Sequence, residues 1–168
     1  MAYEQHVRQA EGVCARCAVV TLSDTRTHEM DKSGQRICEL LTGDGNEIAE
    51  YRLIPDDAAQ LESLLNELLA RQDVDVVLTN GGTGISRRDR TIEVIEKLLD
   101  QPLPGFGELF RMLSWEQIGS GAMLSRATGG ISRGKLLFAM PGSTKAVELA
   151  MNRLLLPEIR HLLKELHK

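Results

Sequence analysis

LTNGGTGISRRDRT, residues 78–91, follows an apolar run and precedes a helical pattern. Its three closely spaced glycines let the backbone approach an anion and present N–H groups to it. The start of a helix adds partial positive charge, and arginines add donors suited to phosphate or carboxylate. The stretch therefore predicts an anion-binding turn between a strand and a helix. Asp89, among the arginines, can hold a cation or orient them.

Apolar runs alternate with helical patterns along the rest of the chain. Strands are predicted at 17–22, 48–53, 74–78 and 136–140, and helices at 31–42, 57–69, 91–99, 106–113, 143–156 and from 157 onward. Residues 114–134, rich in Gly and Ser, are predicted to be irregular. This order predicts an α/β fold, a three-layer αβα arrangement with a mostly parallel sheet. Ligands bind such sheets beyond the carboxyl ends of the strands, where polar turns follow at 23–27, 80–89 and 141–143.

Length and charge limit the class of protein. The 168 residues fit one domain, expected at 15–168 after a flexible N-terminal arm at 1–14. A net charge of −4 argues against a general nucleic-acid binder. No apolar run is long enough to span a membrane, and the first residues lack a signal-peptide core, so we expect a cytoplasmic protein.

Cysteines and histidines offer no metal pattern in the sequence. Cys14 and Cys17 have CxxC spacing, but no second pair completes a zinc site, and they precede a strand rather than open a helix. We expect them and Cys38 to be plain reduced thiols. The four histidines lack zinc-type helical spacing and are predicted to be surface residues: His6, His28, His161 and His167.

Familiar nucleotide and hydrolase motifs do not fit. No Gly-Lys-Ser/Thr occurs, which excludes a Walker A loop. The Rossmann fingerprint that Gly82-Thr83-Gly84 begins has Arg87 at its third glycine. Residues 130–134 spell G-x-S-x-G but lead into a strand instead of a helix, so we interpret them as a turn.

Two aspartates allow alternative interpretations. Asp57, with Gln60 three residues later, fits a capping box and needs no other role. Asp56 either faces the site or is a second carboxylate at the helix start. Asp89 or Thr91 is the candidate N-cap of the helix after the glycine loop, and Asp89 can also balance the arginines. Two carboxylates near phosphates suggest a divalent metal such as Mg²⁺.

Several blocks, in order, carry a resemblance to a known family. They are TLSDTR (21–26), DKSG (31–34), IPDD (54–57), GGTG (81–84) with Arg88, Asp89 and Thr91, PGFGE (104–108), LSRA (124–127) and MPGS (140–143). Together they resemble the MoaB/MogA family of molybdenum cofactor biosynthesis, most closely its MoaB branch, over about residues 15–160. Asn80 stands where the family more often has threonine.

The resemblance implies a molybdopterin-binding fold that assembles as homotrimers or homohexamers. Active members adenylylate molybdopterin with MgATP and release pyrophosphate, and their two essential acidic positions match Asp56 and Asp89, which are the expected catalytic and Mg²⁺-binding residues. The expected substrate- and phosphate-binding residues are Ser23, Asp24, Gly81, Gly82, Thr83, Gly84, Thr91, Ser125, Arg126, Pro141, Gly142, Ser143 and Lys145. The attacking phosphate is already anionic, so the reaction needs positioning and charge neutralisation more than a strong base.

Two other functions stay open on the sequence. The chain can be a non-catalytic molybdopterin carrier, an alternative opposed only by the retention of both aspartates. It can also be a structural subunit that contacts other proteins of the pathway. Phe106, Phe110, Met112 and Trp115 suit subunit contacts or a core.

Overall fold

The computed structural model describes residues 2–10 and 12–168. Its helices are α1 (Ala2–Gln9), α2 (Lys32–Gly43), α3 (Ala58–Ala70), α4 (Thr91–Leu98), α5 (Pro104–Ile118), α6 (Thr144–Ala150) and α7 (Leu156–Leu166). Its strands are β1 (Arg16–Leu22), β2 (Glu47–Ile54), β3 (Val76–Asn80), β4 (Gln101–Pro102), β5 (Thr128–Ser132) and β6 (Lys135–Met140). None of these helices is long and apolar enough to cross a bilayer.

One six-stranded sheet organises the molecule. Its strand order is β2-β1-β3-β6-β5-β4. Strands β2, β1, β3 and β6 run parallel to one another, and β5 runs antiparallel to both of its neighbours, β6 and the two-residue edge strand β4. The predicted three-layer α/β fold with a mostly parallel sheet is confirmed.

Alternate residues of the strands face two separate cores. Cys17 and Val19 of β1 pack under α2, α5, α6 and α7, whereas Ala18 and Val20 pack under α3 and α4. Because both faces of the central strands are covered, these strands are mostly apolar, as a buried parallel sheet requires, and the buried polar residues Thr21, Thr79 and Asn80 lie near their carboxyl ends. Phe106 and Phe110 belong to the first core, while Met112 and Trp115 remain exposed.

The glycine- and serine-rich stretch is more regular than predicted. Helix α5 continues to Ile118, a 3-10 helix spans Gly119–Leu124, and β5 follows. The interpretation of 130–134 as a turn is wrong for its first three residues, which lie in β5. Only Arg133 and Gly134 turn the chain, at φ +50° and +73°, into the antiparallel strand β6.

Within the segment predicted to be a flexible arm, Ala2–Gln9 form helix α1. Lys164 Nζ of α7 donates to Gln9 Oε1 of α1 at 2.9 Å, and Ala10 is buried. This helix is stabilised by tertiary contacts with α7, and such contacts cannot be recognised from the local sequence. The predicted mobility of residues 1–14 stays a prediction, and Met1 and Glu11 lie outside the described residues.

The three cysteines carry free thiols, as predicted. Burial raises the pKa of Cys17 to about 12 and that of Cys38 to about 11. A thiol held protonated in this way is a weak nucleophile, so Cys17 acts as a small core residue.

Candidate functional site

Close backbone contacts bring three polar turns together at the carboxyl ends of the strands. Gly81, just after β3, donates its N–H to the Met140 carbonyl of β6 at 3.1 Å. Its φ is +94°, and a Cβ on it would lie 2.2 Å from the Leu22 carbonyl oxygen of β1. A Cβ on Gly142 would lie 3.1 Å from Gly81 Cα. Only glycine therefore allows the ends of β1, β3 and β6 to approach this closely.

Asp24 connects the turn after β1 to the turn after β2 and to the glycine loop. Its Oδ1 accepts from the Asp56 N–H at 3.1 Å, and its Oδ2 lies 3.0 Å from Arg88 Nη2. Burial raises the pKa of Asp56, with further increases from Asp89 and Asp24 that the Arg88 cation opposes. The three carboxylates thus lie near one another, with the Arg88 guanidinium among them. A cluster of carboxylates of this kind favours a bound divalent cation.

Asp56 is free for this role because its neighbour caps the helix. Asp57 Oδ1 accepts from the Gln60 N–H at 2.8 Å, as the capping-box pattern predicts. Asp56 is half-buried, and its Oδ1 lies 2.6 Å from the point that a Cβ on Gly82 would occupy.

Thr91 presents a buried hydroxyl without a partner. Its Oγ1 lies 2.4 Å from the same Cβ position on Gly82, and its N–H donates to the Gly82 carbonyl at 3.1 Å. Among the described residues, Oγ1 makes no hydrogen bond. A buried hydroxyl group without a hydrogen-bond partner costs free energy. When such a group lies at a polar site, it therefore points to a ligand that would bond it.

The prediction that Asp89 or Thr91 caps α4 is wrong. The cap position falls at Arg90, with no side-chain cap bond in the described part of the chain. Asp89 instead accepts from the Ser86 N–H at 3.0 Å and from Ser86 Oγ at 2.5 Å, which uses its carboxylate inside the loop. Thr91 lies one residue inside the helix, where its hydroxyl turns toward Gly82.

The donor set at this point fits Mg²⁺. Asp56, Asp89 and Thr91 offer only oxygen atoms, and a Cβ on Gly84 would lie 2.7 Å from Asp89 Oδ2, so the loop backbone runs against the carboxylate. Mg²⁺ takes oxygen ligands from one or two carboxylates and completes its shell with phosphate and water. The unpaired hydroxyl of Thr91 is the observation that supports this assignment.

Arg126 holds the glycine loop in place. It donates to the carbonyl oxygens of Thr83 at 2.9 Å, Gly84 at 2.8 Å and Asp89 at 3.0 Å, and it pairs with Glu93 at 2.7 Å. Its donors therefore bind the loop itself in this structure. A direct contact from Arg126 to phosphate stays a prediction.

A second group of predicted residues lines a neighbouring cavity. Ser125, Pro141, Ser143 and Lys145 border a space of about 330 Å³ between the 3-10 helix and α6. Ser143 Oγ also caps α6 by accepting from the Ala146 N–H at 3.2 Å. A larger cavity of about 710 Å³ borders α4 and α5, but of the predicted site residues only Arg126 lines it. Ser23 Oγ is used locally, because it accepts from two N–H groups of its own turn.

Sequence reasoning missed a polar network beneath the site. Arg26 donates to Asp31 Oδ1 at 3.3 Å, to Ser33 Oγ at 2.6 Å and to the Gly142 carbonyl at 3.0 Å. Ser33 Oγ in turn donates to Asn80 Oδ1 at 2.8 Å. The blocks TLSDTR and DKSG contained the signal, but their residue types alone suggest turn and capping roles.

Asp31 is the centre of that network and is fully buried. Burial alone would raise its pKa, but hydrogen bonds from Thr21, Tyr51, the Gly34 N–H and Ser33 outweigh burial and lower it. The ionised carboxylate thus fixes the start of α2 against the ends of β1 and β2.

Known proteins are similar to this chain in sequence and in fold. A family model described as a probable molybdopterin binding domain matches residues 18–161. Molybdenum cofactor biosynthesis protein B of Bacillus cereus is 52% identical over all of this chain and 99% of its own length, and that of Bacillus subtilis is 46% identical over the same shares.

Solved structures agree with these relatives. A crystal structure of a molybdenum cofactor biosynthesis protein B superposes with a TM-score of 0.90 at 54% identity, covering 92% of this chain and 97% of the other. The tungsten cofactor synthesizing protein MoaB from Pyrococcus furiosus gives 0.83 at 39% identity, covering 92% and 98%. The chain therefore belongs to the MoaB/MogA family of molybdenum cofactor biosynthesis proteins.

Proposed function

We propose that this chain is a molybdopterin adenylyltransferase. A terminal phosphate oxygen of molybdopterin attacks the α-phosphorus of ATP, a new P–O bond forms, and the bond from the α-phosphorus to the bridging oxygen breaks. Pyrophosphate leaves with that electron pair, and adenylyl-molybdopterin is the other product. The observation that carries the proposal is the buried, unpaired Thr91 hydroxyl between Asp56 and the glycine loop.

The residues around this hydroxyl suit the charge changes of the reaction. Asp56, Asp89 and Thr91 would hold Mg²⁺, which neutralises phosphate charge in such transfers. The N–H groups of Gly82, Thr83 and Gly84 are available to phosphate oxygens at the positive end of α4. The nucleophile is a phosphate that is already ionised, so no histidine or thiolate base is required.

The neighbouring cavity suits the pterin phosphate. Ser125 and Ser143 offer hydroxyl groups, and the Lys145 ammonium adds a cation on the same wall. Gly142 packs against Gly81, so this cavity and the glycine loop meet at the ends of β3 and β6. Two phosphate-bearing substrates could thus be held side by side, and such positioning, together with charge neutralisation, is the main contribution of an enzyme to phosphoryl transfer.

Self-association into a homotrimer or homohexamer is part of the proposal. One side of α5 and the following 3-10 helix exposes large apolar side chains: Leu109, Met112, Trp115, Ile118, Met123 and Leu124. Apolar surface of this extent in a soluble domain usually contacts another subunit. Light scattering on the pure protein would give the subunit number, and a monomer would refute this part.

Pyrophosphate release from MgATP and molybdopterin tests the enzyme assignment. We expect Asp56→Asn and Asp89→Asn to bind molybdopterin normally but to lose pyrophosphate release. Asp57→Asn is the matched control, because asparagine also caps helices and this side chain does not face the site. Wild-type protein that binds molybdopterin without releasing pyrophosphate would instead be a carrier.

A further inference from the structure

Two histidines and a glutamate meet between α1 and α7. His6 lies on α1, and His161 and Glu165 lie one helical turn apart on α7. His6 Nδ1 is 3.5 Å and His161 Nε2 is 3.8 Å from Glu165 Oε1. One ligand atom from each residue falls within 4.8 Å of the others, close enough for a single metal ion to bind all three.

The orientation of His161 is already that of a metal ligand. Its Nδ1 lies 3.0 Å from Glu158 Oε2, and Glu158 also accepts a hydrogen bond from the Tyr3 hydroxyl of α1. A carboxylate on one ring nitrogen fixes the proton there and leaves the other nitrogen's lone pair free. In His161 that free nitrogen is Nε2, which faces Glu165 and His6.

We infer that His6, His161 and Glu165 form a binding site for a divalent transition metal, with Glu158 as the supporting carboxylate. Two imidazoles and one carboxylate suit Zn²⁺ and leave a fourth position for water. Mg²⁺ prefers all-oxygen sites, so this site differs in metal preference from the one beside Asp56.

A metal at this place would join α1 to α7. The observed contacts between the two helices include exposed polar bonds, such as that from Lys164 to Gln9, and edge contacts of the Tyr3 and His6 rings with the His161 ring. Metal ligands from both helices would add a bridge between them, so the order of α1 would depend on metal. The inference concerns this helix pair and does not rest on the proposed adenylyltransferase activity.

Zn²⁺ titration by calorimetry, in excess Mg²⁺ so that the carboxylate site is saturated, tests the inference. We expect one Zn²⁺ per chain and slower amide hydrogen exchange in α1 when it is bound. His6→Gln and His161→Gln should abolish this binding. Glu158→Gln should weaken it about 10–100-fold, the usual effect of losing a supporting carboxylate. Cys14→Ser and His28→Gln, which remove exposed ligands elsewhere, should leave it unchanged.

Replacing Lys168 should change the affinity for Zn²⁺ in the opposite direction. Its Nζ contacts Glu165 Oε1, the oxygen that the metal would use, so Lys168→Gln should tighten Zn²⁺ binding. Zn²⁺ binding that survives His6→Gln and His161→Gln, that disappears in Cys14→Ser, or that is absent from the wild type would overturn the inference. Bound Zn²⁺ that leaves hydrogen exchange in α1 unchanged would overturn the bridging role.

Discussion

Replacing Gly82 by alanine perturbs the point where the glycine loop, Asp56 and Thr91 meet. Gly82 has φ +63°, and an added Cβ would lie 2.4 Å from Thr91 Oγ1 and 2.6 Å from Asp56 Oδ1. A left-handed conformation costs a non-glycine residue about 1–2 kcal/mol. Forcing a methyl group into a filled space costs about 1–3 kcal/mol more. We therefore expect Gly82→Ala to lower the free energy of unfolding by about 2–5 kcal/mol, measured by urea denaturation.

Gly134→Ala separates the two contributions. Gly134 has φ +73° in the turn between β5 and β6, but no described atom lies within 4 Å of its Cβ position. We expect it to lose only the conformational part, about 1–2 kcal/mol, and to keep full pyrophosphate release. Gly82→Ala should lose that release, because the methyl group displaces Thr91 and Asp56, two of the three proposed metal ligands. Equal destabilisation of the two variants, or unchanged turnover of Gly82→Ala, would refute the reasoning.

Substitutions at three further positions test the site and the network beneath it. Asp56→Asn should raise the melting temperature at pH 7, because the raised pKa of Asp56 means that its ionised form is disfavoured in the folded protein. This gain should shrink as the pH falls and the wild-type carboxyl becomes protonated; a gain that is independent of pH would contradict it. Asn80→Ala removes a buried amide that bonds Ser33 and Thr21, and should cost about 1–3 kcal/mol in urea denaturation, with Asn80→Thr costing less. Arg126→Lys keeps the charge but loses the planar set of donors that holds the loop, and should lower kcat/KM by about tenfold or more; an unchanged kcat/KM would argue against positioning.

The central strands and most helices were predictable because their signals are local. The buried parallel strands are mostly apolar, and Asp31, Asp57 and Ser143 cap their helices as their residue types indicate. Strand β5 was missed because it contains Gly129 and Gly130, residues depleted in strands. A Cβ on Gly129 would lie 2.0 Å from Phe138 Cδ1, and one on Gly130 would lie 2.2 Å from the Gln101 carbonyl oxygen. Glycine is there for packing, which only the tertiary structure reveals.

The site was predictable only in part for the same reason. The glycine loop stands out in the sequence by its three glycines and the arginines after them, whereas Asp56 and Asp89 could equally have been helix-start or charge-balancing residues. The unpaired Thr91 hydroxyl and the pairing of His6 with His161 depend on contacts between distant elements. Helix α6 passes through a π-helical segment at Met151–Leu155 and continues directly into α7. Pro157 would otherwise predict a break at this point. The wider turn accommodates a residue that has no N–H to donate.

The short edge strand β4 has a consequence for how copies of this chain can associate. An exposed edge strand presents unpaired backbone donors and acceptors that can pair with a strand of another chain. Such pairing is a first step toward aggregation. Here that edge is two residues long, and one of them, Pro102, has no N–H. The antiparallel end of the sheet is therefore a poor template for further strands. Strand addition between copies of the chain is therefore disfavoured at this end of the sheet.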